Sequence, residues 1–492
     1  MQFKSNKSKQ MILIKNLKLI SKKDRELDRL TRFVKSEYNN GGQKILTNLF
    51  DAIIAYYPHY QFDRKEIYKK ITGESGFEEM DKKKENLFNS YISQLNGIVE
   101  RFLMTEQLKT DHFLQQQLLA KAYLEKNDFS KFLKTNSSAK KRLPANQSDS
   151  ERKLATLGLD LVFHPEYDNL KDKSLLLDTL LHTERGAIFE QLKIYAELFS
   201  ISILVNNPIH LKKVTAFLKK STKKEFLDFI PIKVYTQVLH FRIKNEAEKY
   251  LEILDLFESN FSIFSKAEQM QLFSLIQGFN IRNINNNQNC INQTYDFFNL
   301  GIKLNCFEIG KPISDTTFLN IANSKSMLYK FEEYDDFVLK YSLSLGKENK
   351  EIVEKLAKSN YYFYKFEEKK DFTLLGEIQK ISSSLHHING KLTLNLALRT
   401  TLCKTYFELS LIDNSMSQLV DNEIIAFKSF IKRKKINEEK VLTYSKFFTI
   451  LSELNKLVQK PDKKAKVKLL KRINKLMPFG NSTYLLQKIE NL

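Results

Sequence analysis

Turn-forming residues are scarce in this sequence of 492 residues, which has only 14 glycines and 8 prolines. An average chain of this length would contain roughly 59 of the two together. Because β-sandwiches and β-barrels need many tight turns, the shortage excludes an all-β fold. Tryptophan is absent, yet 42% of the residues are hydrophobic and 12% are aromatic. That content argues against wholesale disorder.

Cysteine is also rare, and long apolar runs are missing. The three cysteines, Cys290, Cys306 and Cys403, form neither a disulfide framework nor a CxxC zinc motif. The best apolar stretch, 198–205, is too short to cross a bilayer. The apolar run 11–14 is too short for a signal peptide. We therefore expect a cytoplasmic protein without a transmembrane segment.

Negative charge is in deficit, since 79 lysines and arginines outnumber 58 acidic residues and leave a net charge of +21. Only 13 of the 79 basic residues are arginine. Arginine makes the bidentate contacts typical of phosphate and guanine recognition, whereas lysine is a hydrated point charge. The surplus therefore leaves a nucleic acid or an acidic partner possible, and fits a compositional bias toward lysine equally well.

Apolar residues recur with the period of an α-helix along nearly the whole chain. In one example, Ile45, Leu49, Ile53 and Tyr56 share a helix face. Breaks of two to six residues are typical of antiparallel helix neighbours. A longer polar, serine-rich segment at 136–150 predicts a linker or long loop. We predict an all-α fold with an N-terminal helical module over 1–135 and helical repeats over 151–492.

An internal repeat lies in the C-terminal half. The segment 322–337 is echoed 35 residues later by 357–372 (357 − 322 = 35), and both contain Tyr-Lys-Phe-Glu-Glu. A fainter third copy keeps Tyr406 and Asp413 seven residues apart, like Tyr364 and Asp371. Self-similarity at this period predicts helical hairpins that stack in a right-handed α-solenoid.

This period and layout resemble the tetratricopeptide repeat. The Tyr-Lys-Phe-Glu-Glu run stands where that repeat ends its first helix, turns and begins its second. The sequence departs from the family pattern at two places in each copy. Glu332 and Glu367 replace the turn glycine, while Phe337 and Phe372 replace a small residue early in the second helix. The resemblance therefore implies stacked helical hairpins, without the groove shape of the family.

A wider resemblance covers almost the whole chain. The segments 32–39, 49–51, 93–96, 100–103 and 289–291 are similar to a family of uncharacterised bacterial proteins of about this length. That resemblance implies an all-helical repeat fold and supplies no functional site.

No catalytic or cofactor motif is found. The eight histidines make no HExxH motif and have no di-iron or Cys/His spacing. His164 follows Asp160 by one helical turn, but Pro165 indicates a helix end there in preference to a metal site. A glycine-rich phosphate loop and a GxSxG elbow are also missing from the sequence. We predict that the protein is not an enzyme and uses no cofactor or metal.

Two sets of residues are candidates for binding. Aromatic residues of the repeat region could grip a partner, although their helical spacing favours a core: Tyr329, Tyr361, Tyr362 and Tyr364. Basic clusters could bind a polyanion, although they also fit the polar outer face of a terminal helix: Lys432, Arg433, Lys434, Lys435, Lys468, Lys471 and Arg472.

The function expected from such an array is a non-enzymatic scaffold that binds a protein partner. The alternative is a nucleic-acid-binding regulator. Helical segments at 45–56, 64–71 and 86–103 are similar to the winged helix-turn-helix that precedes repeats in some bacterial activators. The residues that would then face DNA are Lys82, Lys83, Lys84, Asn86 and Asn89. However, the residues 104–119 are predicted to be helical, where that motif requires a β-hairpin wing.

Overall fold

The chain folds into helices throughout the part that the structure describes. The computed structural model describes residues 2–20, 25–73, 82–143, 147–162, 173–205, 208–284, 288–307, 312–385, 392–433, 441–477 and 479–492. These ranges contain 25 α-helices and no β-strand, which confirms the predicted all-α class. Within them, no helix is long and apolar enough to cross a membrane.

The helices belong to two compact units, Met1–Leu143 and Pro144–Leu492. The first unit contains α1 (Gln2–Lys18), α2 (Glu26–Lys35), α3 (Glu37–Asn40), α4 (Lys44–Ile54), α5 (Arg64–Thr72), α6 (Lys82–Thr110), α7 (His112–Glu125) and α8 (Phe129–Lys141).

The second unit contains seventeen further helices in the ranges described. They are α9 (Ser150–Val162), α10 (Lys173–Val205), α11 (Pro208–Ser221), α12 (Lys224–Leu227), α13 (Ile230–Lys244), α14 (Tyr250–Ser259), α15 (Lys266–Asn283), α16 (Gln288–Lys303), α17 (Asp315–Met327), α18 (Phe331–Tyr341), α19 (Lys350–Lys369), α20 (Thr373–Ser383), α21 (Leu392–Ser410), α22 (Ser417–Arg433), α23 (Leu442–Gln459), α24 (Lys463–Leu476) and α25 (Ser482–Glu490).

The first unit is organised around the long helix α6. Helices α1, α2 and α4 pack against it, and its buried face carries Phe88, Ile92, Leu95, Val99 and Phe102. These residues follow the i, i+4, i+7 spacing of a single stripe. Helices α7 and α8 form a hairpin that follows α6 directly.

The boundary between the units falls inside the segment expected to be a linker. Helix α8 continues to Lys141, so the first six residues of the segment 136–150 are helical. Asn136 and Ala139 are buried on that helix, which explains why a polar, serine-rich stretch still forms regular structure. The division between the units lies at Leu143 and Pro144.

In the second unit, helices pack in a regular order. Most helices from α15 to α25 pack on the next one along the chain. Helices α17, α19, α21 and α23 also pack side by side in that order. Helix α13 packs on α15 in the same way. We call α13, α15, α17, α19, α21 and α23 the alternate helices. All of them except α13 contribute to the wall of the site described below.

The echoed segments are not structurally equivalent, which corrects the 35-residue register. In the first copy, Tyr329 has a left-handed backbone (φ 57°) and Phe331 begins α18. In the second copy, Tyr364-Lys-Phe-Glu-Glu lies inside α19, which ends only at Lys369. The same five residues thus start one helix and continue another, because none of them is a helix breaker.

The weaker third copy does mark equivalent positions. Asp371 accepts a hydrogen bond from the backbone N–H of Thr373 before α20, and Asp413 does the same for Ser415 before α22. The distance between these two caps is 413 − 371 = 42 residues. Forty-two residues is therefore the period that separates these two neighbouring hairpins.

Candidate functional site

A cavity of about 390 Å³, lined by polar and apolar residues, lies in the second unit between α15, α17, α19, α21 and α23. Helices α15, α17, α19, α21 and α23 each contribute to its wall, and the residues just before α25 complete it. The lining consists of Ile281, Ile284, Asn320, Asn323, Met327, Asn360, Tyr364, Ala397, Thr400, Thr401, Lys404, Tyr444, Gly480 and Asn481.

The spacing of the lining residues follows from helix geometry. On α21, Ala397, Thr400, Thr401 and Lys404 occupy positions i, i+3, i+4 and i+7, which form one stripe on a helix surface. Four small or polar residues in such a stripe leave room where larger apolar side chains would fill the space between helices. The sequence of α21 therefore accounts for part of the open space between the helices.

A chain of side-chain hydrogen bonds crosses the cavity wall from helix to helix. The carboxamide of Asn360 donates to Oδ1 of Asn323 (3.0 Å). Its own Oδ1 accepts from the hydroxyl of Thr401 (2.7 Å). These bonds connect α17, α19 and α21 and fix the orientation of the Asn360 side chain. The Nδ2 group of Asn323 has no acceptor among the residues described, so it remains able to donate to a ligand.

Among the described residues of this lining, Lys404 alone is charged, and it is only 3% exposed. Its Nζ lies 3.9 Å from the ring centre of Phe363 and 5.1 Å from that of Tyr364. The ring of Tyr484 on α25 lies 5.5 Å away. No carboxylate or hydrogen-bond acceptor pairs with this ammonium group in the described parts of the chain. Ring faces attract a cation but do not neutralise it.

Two carboxyl groups act on the charge of Lys404 without forming an ion pair with it among the described residues. Oε1 of Glu408 accepts from the hydroxyl of Tyr484 (2.7 Å) and pairs with Nζ of Lys488 (2.7 Å). Burial raises the pKa of Glu367, although the charges of Lys404 and Lys488 oppose the rise. Both groups therefore influence the charge of Lys404 from a distance, but neither forms an ion pair or a hydrogen bond with it in the described parts of the chain.

Burial has a direct consequence for the acid–base chemistry of Lys404. Burial and the nearby charge of Lys488 together lower the pKa of the amine to about 8, while Glu367 and Glu408 act in the opposite direction. The group is thus mostly cationic at neutral pH and partly neutral slightly above it. The site can therefore hold an anion at neutral pH.

Of the four aromatic candidates, only Tyr364 lines the cavity. Tyr361 is 8% exposed and stacks on Tyr334, with ring centres 4.5 Å apart. Tyr362 is half-buried and packs against the core. Tyr329 is 46% exposed in the turn after α17. The four residues consequently do not form one surface.

The basic candidates lie on two helices that both pack on α23. Lys432 and Arg433 are exposed at the end of α22, and Lys434 and Lys435 lie outside the described residues. On α24, Lys468, Lys471 and Arg472 are all exposed. Arg472 pairs with Glu453 of α23.

The N-terminal residues expected to face DNA are not all accessible. Asn89 is 4% exposed and accepts a hydrogen bond from Nη2 of Arg64 (2.5 Å). Helix α6 runs on to Thr110, and α7 begins at His112. No β-hairpin follows α6 within the described residues of the first unit.

Other reactive side chains are held in inert surroundings. Burial raises the pKa of Cys306 to about 11 and the pKa of Cys403 well above its usual range. Among the residues described, no group of three or more His, Cys, Asp or Glu side chains could hold a metal ion. His164 lies outside those residues.

Sequence reasoning missed Lys404, Asn323 and Asn360. The available signal was the stripe of small and polar residues on α21, which interrupts the apolar pattern of a helix with buried neighbours. The sequence gives no sign that the ring of Tyr484, 80 residues further along the chain (484 − 404 = 80), lies beside the ammonium group of Lys404.

Comparison with known proteins adds no relative: no family model matches the chain, and neither the curated proteins nor the solved structures contain a significant match.

Proposed function

We propose that the protein is a non-enzymatic helical-repeat scaffold, a solenoid of hairpins in its second unit, which binds a protein partner. The observation that carries this proposal is a row of exposed apolar residues at three successive hairpin turns. Tyr329 follows α17, Phe372 follows α19, and Leu411 and Ile412 follow α21; they are exposed by 46%, 46%, 43% and 61%. We call these four residues the turn row.

The turn row lies along one edge of the alternate helices. Hydrogen bonds join Asn323, Asn360 and Thr401, so α17, α19 and α21 run side by side. Their C-terminal ends therefore lie near one another. In agreement, the pKa of Tyr329 is raised by burial and by the nearby charges of Glu367 and Glu368 at the end of α19.

Exposed apolar side chains are costly in water when several lie together, and such groups commonly mark protein interfaces. Aromatic residues contribute strongly to the binding energy of interfaces. Tyr329 also holds an uncommon left-handed conformation, which places a large ring at a position usually taken by glycine or asparagine.

The test compares partner binding by two triple variants of the full chain. The first carries Tyr329→Asn, Phe372→Ser and Ile412→Ser, in which asparagine tolerates the left-handed backbone. We expect this variant to bind a co-purifying partner at least about tenfold more weakly than the wild type in calorimetry with the isolated partner.

The matched control carries Leu177→Ser, Leu251→Ser and Leu343→Ser, which are 68%, 73% and 75% exposed and lie outside the turn row. It should bind like the wild type. Equal weakening by both triple variants would show that the turn row is not the interface. The absence of any partner that binds the purified chain would overturn the scaffold proposal.

A second candidate function, nucleic-acid binding, rests on α24. This helix carries seven cations and no acid: Lys463, Lys464, Lys466, Lys468, Lys471, Arg472 and Lys475. Such a one-sided basic helix is typical of proteins that neutralise phosphates.

Salt dependence separates this candidate from the scaffold. A phosphate-binding α24 should lose affinity for duplex DNA steeply between about 50 and about 200 mM salt. Replacing Lys468, Lys471 and Arg472 by glutamine should then lower the slope of log affinity against log salt by about 2.7. Binding that is absent or independent of salt would exclude the nucleic-acid function and leave the scaffold.

A further inference from the structure

The cavity contains a buried cation that lacks a partner. Lys404 is 3% exposed and lines the cavity, and no acceptor pairs with its ammonium group in the ranges that the structure describes. A buried charge without a counter-ion is destabilising. We propose that the cavity binds a small organic acid whose carboxylate pairs with Lys404.

The contacts around Lys404 leave its ammonium group able to pair with a carboxylate. Glu408 is engaged by Tyr484 and Lys488, both at 2.7 Å. Glu367 makes no ion pair with Lys404 among the described residues, and burial raises the pKa of its carboxyl. A carboxylate in the cavity would give Lys404 a counter-ion without displacing either existing contact of Glu408.

The remaining lining fits the other parts of such a ligand. Nδ2 of Asn323, which has no acceptor among the described residues, can donate to the second carboxylate oxygen. Ile281, Ile284 and Met327 offer apolar surface on the same cavity wall. A site with a few polar groups on a mainly pre-formed apolar wall is typical of small-molecule sites.

Size and charge limit the class of ligand. A volume of about 390 Å³ lies near the lower end of the range for small-molecule sites. Within the part of the lining that the structure describes, Lys404 is the only charged residue, whereas sites for phosphate groups usually combine several cations or use bidentate arginine. The cavity therefore suits a monocarboxylate with a short apolar body. This inference is independent of the turn row and of α24.

The experiment uses the full chain and matched pairs of acids and neutral amides: hexanoate with hexanamide, and benzoate with benzamide. Binding is measured by calorimetry, and the lysine side-chain ammonium signals are followed by NMR. We expect at least one acid to bind roughly tenfold or more tightly than its amide. The Lys404 signal should respond to that acid, and the affinity should fall as the pH rises above 8, because only the ammonium form pairs with the acid.

Two variants sharpen the result. Lys404→Met keeps the length and apolar character of the side chain and should abolish the preference for the acid over the amide. Lys365→Met is the control. Lys365, on α19, also lies against a tyrosine ring, with its Nζ 5.1 Å from the centre of Tyr361, but it is not part of the cavity. This control should bind the acid like the wild type.

Several results would overturn the inference. They are equal binding of acid and amide, an acid preference that survives Lys404→Met, and no binding of either acid. The pH series and the NMR response are measured on the wild type, so they decide the question even if Lys404→Met does not fold. Loss of partner binding by the turn-row variant, with acid binding unchanged, would show that the two sites act separately.

Discussion

Two cations of the second unit are both buried against aromatic rings, but only one of the two borders a cavity. Arg242 on α13 is 5% exposed and Lys404 on α21 is 3% exposed. Each faces aromatic rings, Phe199 at 5.7 Å from the guanidinium carbon of Arg242 and Phe363 at 3.9 Å from Nζ of Lys404. Burial lowers the pKa of Arg242 to about 10 and that of Lys404 to about 8.

The space around Arg242 is filled by the protein itself. A Cβ atom placed on Gly278 of α15 would lie only 2.7 Å from Nη2 of Arg242. Nε and Nη1 of Arg242 have no hydrogen-bond partner in the described residues. Lys404, by contrast, borders a cavity of about 390 Å³. Burial of a cation is therefore not a sign of function by itself; the open space beside it distinguishes a ligand site from a packed one.

The largest effect is expected from Glu408→Gln, which removes the buried carboxylate that pairs with Lys488. Glutamine keeps an oxygen for the hydroxyl of Tyr484 but leaves Lys488, whose side chain is only 14% exposed, without its ion-pair partner. We expect a loss of about 3 kcal/mol in the free energy of unfolding, measured by urea denaturation. The loss arises because an uncompensated buried charge is costly.

The control for this variant is Glu351→Gln. Glu351 pairs with Lys355 at 2.7 Å, but its side chain is 78% exposed. Exposed pairs add little to stability, so this variant should unfold like the wild type. Similar losses in the two variants would mean that burial does not set the strength of these ion pairs.

A smaller effect is expected from Gly278→Ala, which tests whether the Arg242 site is filled. The new methyl group would force Nη2 of Arg242 away, and overpacking of this kind costs roughly 1–3 kcal/mol, from which the higher helix propensity of alanine recovers up to about 1 kcal/mol. Thermal or urea unfolding measures the loss. Gly376→Ala on α20 is the matched control, because no atom lies within 4 Å of its added Cβ. There, the higher helix propensity of alanine should raise stability by up to about 1 kcal/mol.

The fold class could be predicted from the sequence because helical periodicity is a local property. The repeat register could not, because Tyr-Lys-Phe-Glu-Glu is compatible with a helix start at Phe331 and with a helix interior at Phe366. The equivalent turns are marked by single capping residues, Asp371 and Asp413. A single capping residue is a weaker signal than five identical residues, although these two residues lie at equivalent positions of neighbouring hairpins.

The candidate site was less accessible to sequence reasoning than the fold. Tyr364 was singled out together with Tyr361, but helical spacing alone does not show which of the two residues on α19 lines a cavity. The environment of Lys404 depends on Phe363 from α19 and Tyr484 from α25. Contacts over such separations in sequence depend on tertiary packing, which periodicity does not describe.

The smallest effect is a difference in pH dependence between the two cations. An unfolded lysine keeps its proton up to a pKa of about 10.4, whereas folded Lys404 releases it near pH 8. Between these values the unfolded state binds more protons, so stability rises with pH. The free energy of unfolding of the wild type, relative to Lys404→Met, should therefore increase by about 1 kcal/mol between pH 8 and pH 9.

Arg242→Met provides the contrast, because the pKa of Arg242 falls only to about 10. The difference between the wild type and this variant should stay constant from pH 7 to pH 9, since Arg242 is protonated in both states over that range. A carboxylate bound beside Lys404 would raise its pKa and remove the slope seen in the wild type. The free energy of unfolding could still rise with pH at saturating acid, or the Arg242 comparison could show the same rise. Either result would mean that the cavity does not distinguish Lys404 from Arg242.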